Sequence, residues 1–233
     1  MNANPTETLE NEASLQLDAN GRLRHLLTLD GLDKTLLTDI LDDAEGYLTE
    51  PGVLPARSQS LAGRSVANLF FEASTRTRAS FDLAGKRLGA DVLNLDVNTS
   101  SRKKGESILD TIYTLEAMHV DIMVVRDASA GVPAYIARHV LPHVSILNAG
   151  ESDVSHPTQG LLDVLTMRQH KGAFENLTVA IVGDISHSRV AMSATHALTT
   201  LGVGDLRLIS PPVLAPDQSR VPGARIIHKL AEG

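Results

Sequence analysis

Four short apolar runs, at residues 66–71, 92–95, 122–125 and 144–147, begin 26, 30 and 22 residues apart. That spacing leaves room for one helix between successive runs and is too long for hairpins, so it predicts strand–helix–strand units and a four-stranded parallel sheet. The intervening segments 80–88, 107–118 and 132–140 have helical patterning. A second alternation follows: a helix over 158–170, a buried strand over 177–182, a helix over 189–201, a strand over 206–209 and a further strand near 225–227. Before the first sheet, Leu36, Leu37, Ile40, Leu41, Ala44 and Leu48 recur at steps of three and four and mark an amphipathic helix, stopped by Pro51 and Gly52.

The predicted fold class is therefore α/β, with two lobes that each hold a parallel sheet flanked by helices. Two or three strands leave the second lobe incomplete, with unpaired edges and an uncovered face. The organisation expected is a polar N-terminal arm over 1–21, frayed or used in assembly, a first domain over 22–155 and a partial second domain over 156–233. At 233 residues the chain has room for a sizeable core.

Lys and Arg total 21 against 28 Asp and Glu, a net charge of −7 with no long basic run, which argues against a nucleic-acid partner. The absence of cysteine removes thiolate nucleophiles and Cys-ligated zinc. No stretch approaches ~18 consecutive apolar residues, so no membrane span is expected, and residues 1–30 lack the apolar centre of a signal peptide.

Chemistry-bearing residues concentrate in Phe70-Phe71-Glu72-Ala73-Ser74-Thr75-Arg76-Thr77-Arg78, after a predicted strand and at the opening of a helix. Hydroxyls and guanidinium groups meet there with unpaired backbone N–H groups and the positive end of a helix dipole, a seat for a phosphate dianion. An ordinary polar N-cap with solvated arginines fits the same residues. The segment is neither a Walker A loop nor a GxGxxG fingerprint, which disfavours ATP and NAD. Ser100-Ser101-Arg102-Lys103-Lys104 reads as a basic loop, either solvated or anion-binding. Arg126 ends a predicted strand at the edge where open α/β sheets place ligand groups. His156-Pro157-Thr158-Gln159 opens a helix, and the histidine there is either structural or a donor to a developing oxyanion. The remaining histidines show no metal-ligand spacing.

Together these segments, with Lys103-Lys104-Gly105-Glu106-Ser107, Asn148-Ala149-Gly150, Gly183-Asp184 and Ser188-Arg189, resemble the aspartate/ornithine carbamoyltransferase family, its aspartate branch more closely, from about Leu26 to Leu214. The resemblance implies that Ser74, Thr75, Arg76 and Thr77 hold carbamoyl phosphate. Ser100 and Lys104 would reach in from the adjacent subunit of a homotrimer. Thr77, Arg126 and His156 would polarise the carbamoyl oxygen, Gln159 would sit near the carbamoyl nitrogen, and Arg189 would grip an aspartate carboxylate. Arg76, Thr77, Arg126 and His156 are then the catalytic set, with no cofactor and no metal.

The activity implied is transfer of the carbamoyl group of carbamoyl phosphate to the amine of L-aspartate, giving N-carbamoyl-L-aspartate and phosphate in cytoplasmic pyrimidine (UMP) biosynthesis. Another amine acceptor such as ornithine, or a non-catalytic anion-binding subunit, fits the same residues. A dihydroorotase-like or regulatory subunit is a further partner expected by resemblance. The family pattern continues beyond residue 233, so weak or absent turnover is expected of this chain alone.

Overall fold

A computed structural model describes residues 14–95 and 107–233. In chain order its main elements are α1 (Lys34–Glu45), β1 (Ser65–Phe70), α2 (Thr75–Arg87), β2 (Asp91–Leu95), α3 (Ile108–Ala117), β3 (Ile122–Asp127), α4 (Val132–Ala137), β4 (Ser145–Glu151), α5 (Pro157–Lys171), β5 (Thr178–Val182), α6 (Arg189–Leu201), β6 (Asp205–Ile209) and β7 (Arg225–Ile227). The fold is α/β, and every pairing between these strands is parallel. No helix among the described residues is long and apolar enough to cross a membrane.

The chain divides into two compact units, one of residues up to 27 together with 49–151, the other of residues 28–48 together with 152–233. This grouping places α1 with the second unit, whereas sequence order puts it in the 22–155 span. The reason is packing: α1 buries Leu37 and Leu41 and packs on α6. Its Asp42 and Glu45 also pair with Arg168 of α5, at 2.7 and 2.9 Å.

In the first unit the sheet order is β2-β1-β3-β4. The connection from β1 goes to one side and the connection from β2 returns past it to the other, so β1 and β3 flank the point where the winding reverses. Their C-terminal ends border the crevice in which sheets of this kind bind ligands. Both faces of the sheet are packed. Leu69, Met123, Val125 and Ile146 form a core with Ile112 and Leu115 of α3 and Ile136 of α4. Val66, Phe70 and Val124 pack with Phe81 of α2. Asn68 is fully buried in β1 and donates to its β2 register partner Asn94 at 2.9 Å, whose amide in turn donates to Asp82 of α2 at 2.8 Å. This polar link fixes α2 against the sheet, because a slip of either element would strand a buried amide.

Part of the expected N-terminal arm is folded. Leu17 bridges Leu23 in antiparallel fashion, and the Gln16 side-chain carbonyl accepts the Leu27 N–H at 2.7 Å. Leu15 packs against the core. The pull of these apolar side chains outweighs the polar composition around them.

The second unit holds a three-stranded sheet in the order β5-β6-β7. Its α6 is buried along most of its length, while Thr178, Ala180 and Val182 of edge strand β5 are exposed.

Candidate active site

The phosphate-type motif follows β1 directly. Helix α2 begins at Thr75, five residues before the helical pattern read from the sequence, so Thr75, Arg76 and Thr77 form its first turn. Ser74 is the N-cap residue in extended conformation, yet its side chain makes no capping bond, and no acidic residue lies in the first turn. Lys86 and Arg87 occupy the last turn, where cations complement the helix dipole. The N-terminal turn therefore presents backbone donors, hydroxyls and the exposed Arg76 guanidinium with no acidic side chain in the turn itself.

Arg126 lies across the reversal point, paired in register with Phe70 at the end of β1. It is 7% exposed. One guanidinium nitrogen donates to the Ala149 carbonyl at 3.0 Å and another to Glu72 Oε1 at 3.1 Å. Glu72 thus anchors the arginine from inside the motif loop, and the Phe71 N–H donates to the Arg126 carbonyl at 2.8 Å. Beside them, Asn148 bridges the Leu27 carbonyl and Glu151, while Glu151 Oε2 accepts the N–H of Gly131. Gly131 has φ +81°, the left-handed conformation that suits glycine at the start of α4. The structure therefore brings Ser74, Thr75, Arg76, Thr77 and Arg126 to one sheet edge of the first unit. Ser100 and Lys104 lie outside the described residues.

His156, Gln159 and Arg189 belong to the second unit. His156 is the buried N-cap residue of α5; its N–H donates to Ser193 Oγ at 2.8 Å, and its Nδ1 lies 3.4 Å from Thr158 Oγ1. Pro157 occupies the first helical position, where its missing N–H costs nothing. Gln159 Nε2 donates to Asp163 Oδ1 at 2.9 Å, one turn along the helix. Burial pushes the Asp163 carboxyl up from its ordinary value, against the pull of that hydrogen bond. Arg189 opens α6 behind the Ser188 cap and donates to the Ser152 carbonyl at 2.9 Å.

Sequence reasoning assigned no separate role to Glu72, Ser193 or Asp163. Only Asp163 left a readable signal, the Gln-to-Asp spacing of four on one helix face. Among the described residues no group of three or more His, Asp and Glu is placed to hold a metal ion.

The chemistry available to the α2 turn and Arg126 is anion binding by backbone donors, hydroxyls and guanidinium groups. Comparisons with known proteins agree. Residues 24–169 match the family model described as aspartate/ornithine carbamoyltransferase, carbamoyl-P binding domain. A crystal structure of ornithine carbamoyltransferase from Thermus thermophilus is 27% identical, with TM-score 0.78, covering 89% of this chain and 69% of that one. Aspartate transcarbamoylase from Trypanosoma cruzi in complex with N-(phosphonacetyl)-L-aspartic acid is 29% identical, with TM-score 0.79, covering 93% and 69%. The catalytic subunit of M. jannaschii aspartate transcarbamoylase is 30% identical, with TM-score 0.75, covering 91% and 70%. With the family model spanning well over half of its residues, the chain belongs to the aspartate/ornithine carbamoyltransferase family.

Proposed function

We propose that the chain binds carbamoyl phosphate and transfers its carbamoyl group to L-aspartate, giving N-carbamoyl-L-aspartate and phosphate for pyrimidine synthesis. The observation that carries this reading is the uncapped N-terminal turn of α2, with Ser74, Thr75, Arg76 and Thr77 set beside Arg126 at the reversal point of a parallel sheet. The phosphate is held by the turn's N–H groups, hydroxyls and Arg76, and by Ser100 and Lys104 of a neighbouring copy in a homotrimer. Thr77, Arg126 and His156 donate to the carbamoyl oxygen, Gln159 contacts the carbamoyl nitrogen, and Arg189 pairs with an aspartate carboxylate.

In the reaction the neutral α-amine of aspartate attacks the carbamoyl carbon. A C–N bond forms, the bond from that carbon to the phosphate oxygen breaks, and the leaving phosphate accepts the amine proton. Preorganised donors at the oxyanion supply about 3 kcal/mol each, and holding both substrates in attack geometry supplies about 7 kcal/mol or more. This chemistry needs no covalent intermediate on the protein.

The acceptor is tested by supplying carbamoyl phosphate with L-aspartate or L-ornithine and measuring the carbamoylated amine. Aspartate is expected to be preferred by about tenfold or more. Preference for ornithine would reassign the acceptor while leaving the carbamoyl donor in place.

A further inference from the structure

We propose that the outer edge of β5 is a self-association surface, on which the β5 strand of a second copy of this chain pairs antiparallel about a two-fold axis at Ala180. In the β5–β6 ladder the Leu177 carbonyl accepts the Asp205 N–H, and the Gly183 N–H donates to the Ile209 carbonyl. Backbone groups of successive residues point to alternate sides of a strand, so the odd-numbered residues face β6 while Thr178, Ala180 and Val182 turn their N–H and C=O groups outward. Those groups bond to no other described residue. Two other sheet edges are protected. Leu26 bonds along β4 to the Ile146 carbonyl and the Asn148 N–H, and β7 is only Arg225–Ile227, with Arg225 tied to Asp205 at 2.6 Å. Edge β5 has no such guard: residues 177–183 carry no charge and no proline, and the register with β6 is unbroken.

The pattern of outward groups selects the occupant. Thr178 and Val182 lie evenly to either side of Ala180, so a two-fold copy sets Ala180 against Ala180 and Thr178 against Val182, and every outward N–H meets an outward C=O. The alanine keeps the axis free of bulk, and Val182, 59% exposed, meets Thr178 of the second copy as a β-branched cross-strand pair. Extending the register places Asp184 opposite Asn176 and Glu175 opposite Ile185, so no like charges meet. A pairing of this length buries less than the ~1,200 Å² of a standard interface, and the association is therefore weak, with a dissociation constant of about 10–100 µM.

The test uses the absence of cysteine from the chain. In a hydrogen-bonded antiparallel pair the Cα atoms lie about 5.5 Å apart, within reach of a disulfide. Under mild oxidation Ala180→Cys is expected to form a cross-linked dimer at least about tenfold faster than a control, Val213→Cys, at an exposed position off the sheet. Val182→Cys alone should cross-link no faster than the control, whereas Thr178→Cys combined with Val182→Cys should match Ala180→Cys. Sedimentation of the wild-type chain from about 1 to 300 µM should show its mass rising, and Ala180→Lys, which sets like charges together at the axis, should lower the mass at the top of that range about twofold. Slow cross-linking of Ala180→Cys, or a wild-type mass equal to that of Ala180→Lys throughout, would overturn the proposal. Fast cross-linking of Val182→Cys alone would overturn the antiparallel register. An edge occupied instead by another segment or another protein would leave Ala180→Cys unlinked to itself, and that outcome counts against the proposal as well.

Discussion

Arg76 and Arg126 carry the same charge in opposite surroundings. Arg76 is exposed on the first turn of α2, so Arg76→Ala is expected to shift folding stability by no more than about 0.5 kcal/mol. Arg126 is buried against Glu72 and the Ala149 carbonyl, and its replacement by Ala leaves both acceptors without it, at a cost of roughly 2 kcal/mol. Urea denaturation of the two variants checks the contrast; equal destabilisation would contradict it. His25 offers a second test. Its Nδ1 accepts the Ile146 N–H at 3.0 Å, and burial, with a smaller effect from the Arg24 charge, pushes its pKa from 6.5 down to about 4. Between those values the unfolded chain takes up a proton that the folded chain refuses. Stability from this group is thus complete above about pH 6.5 and falls by roughly 3 kcal/mol as pH drops to about 4. His25→Asn, which retains an acceptor near Nδ1, should flatten that part of the pH–stability curve. An equally steep fall in the variant would show that other groups cause it.

The elements were largely legible before the structure, because the strands of a sheet covered on both faces write continuous apolar runs and the helices between them write a period near 3.6. Among the described residues all seven strands appear where those runs fall, with β4 extending to Glu151 through Asn148-Ala149-Gly150, residues too polar and small to read as strand. The start of α2 was less legible, since Thr75, Arg76, Thr77 and Arg78 carry no apolar periodicity, yet the helix begins at Thr75. Helix α5 shows what patterning cannot reveal. Gly160 lies at a close approach: an added Cβ would sit 2.8 Å from Leu29 Cδ1 and 3.0 Å from the Ser193 backbone carbon. Gly160→Ala, favourable for an isolated helix by about 1 kcal/mol, should instead lower stability by about 1–3 kcal/mol through overpacking. A denaturation midpoint raised by this substitution would show that the contact relaxes freely.

At the scale of the whole molecule, the family and the sheet architecture could be read from one sequence, whereas the grouping of the chain into units could not. Helix α1 joins the second unit through contacts such as Lys34 with Glu175 and Arg168 with Asp42, between residues more than 120 positions apart, and no local pattern encodes such pairings. The partners of site residues were hidden for the same reason: Glu72 and Arg126 are 54 positions apart, and His156 and Ser193 are 37 apart. A chain of net charge −7 must gather its cations locally to hold a dianion, and the account places that gathering at the α2 N-terminus. Calorimetric titration of the wild-type chain and of Arg76→Ala with carbamoyl phosphate tests this most directly. The account predicts saturable binding to the wild type, weakened about 100-fold in a variant of unchanged stability; equal affinity in the two proteins would contradict it.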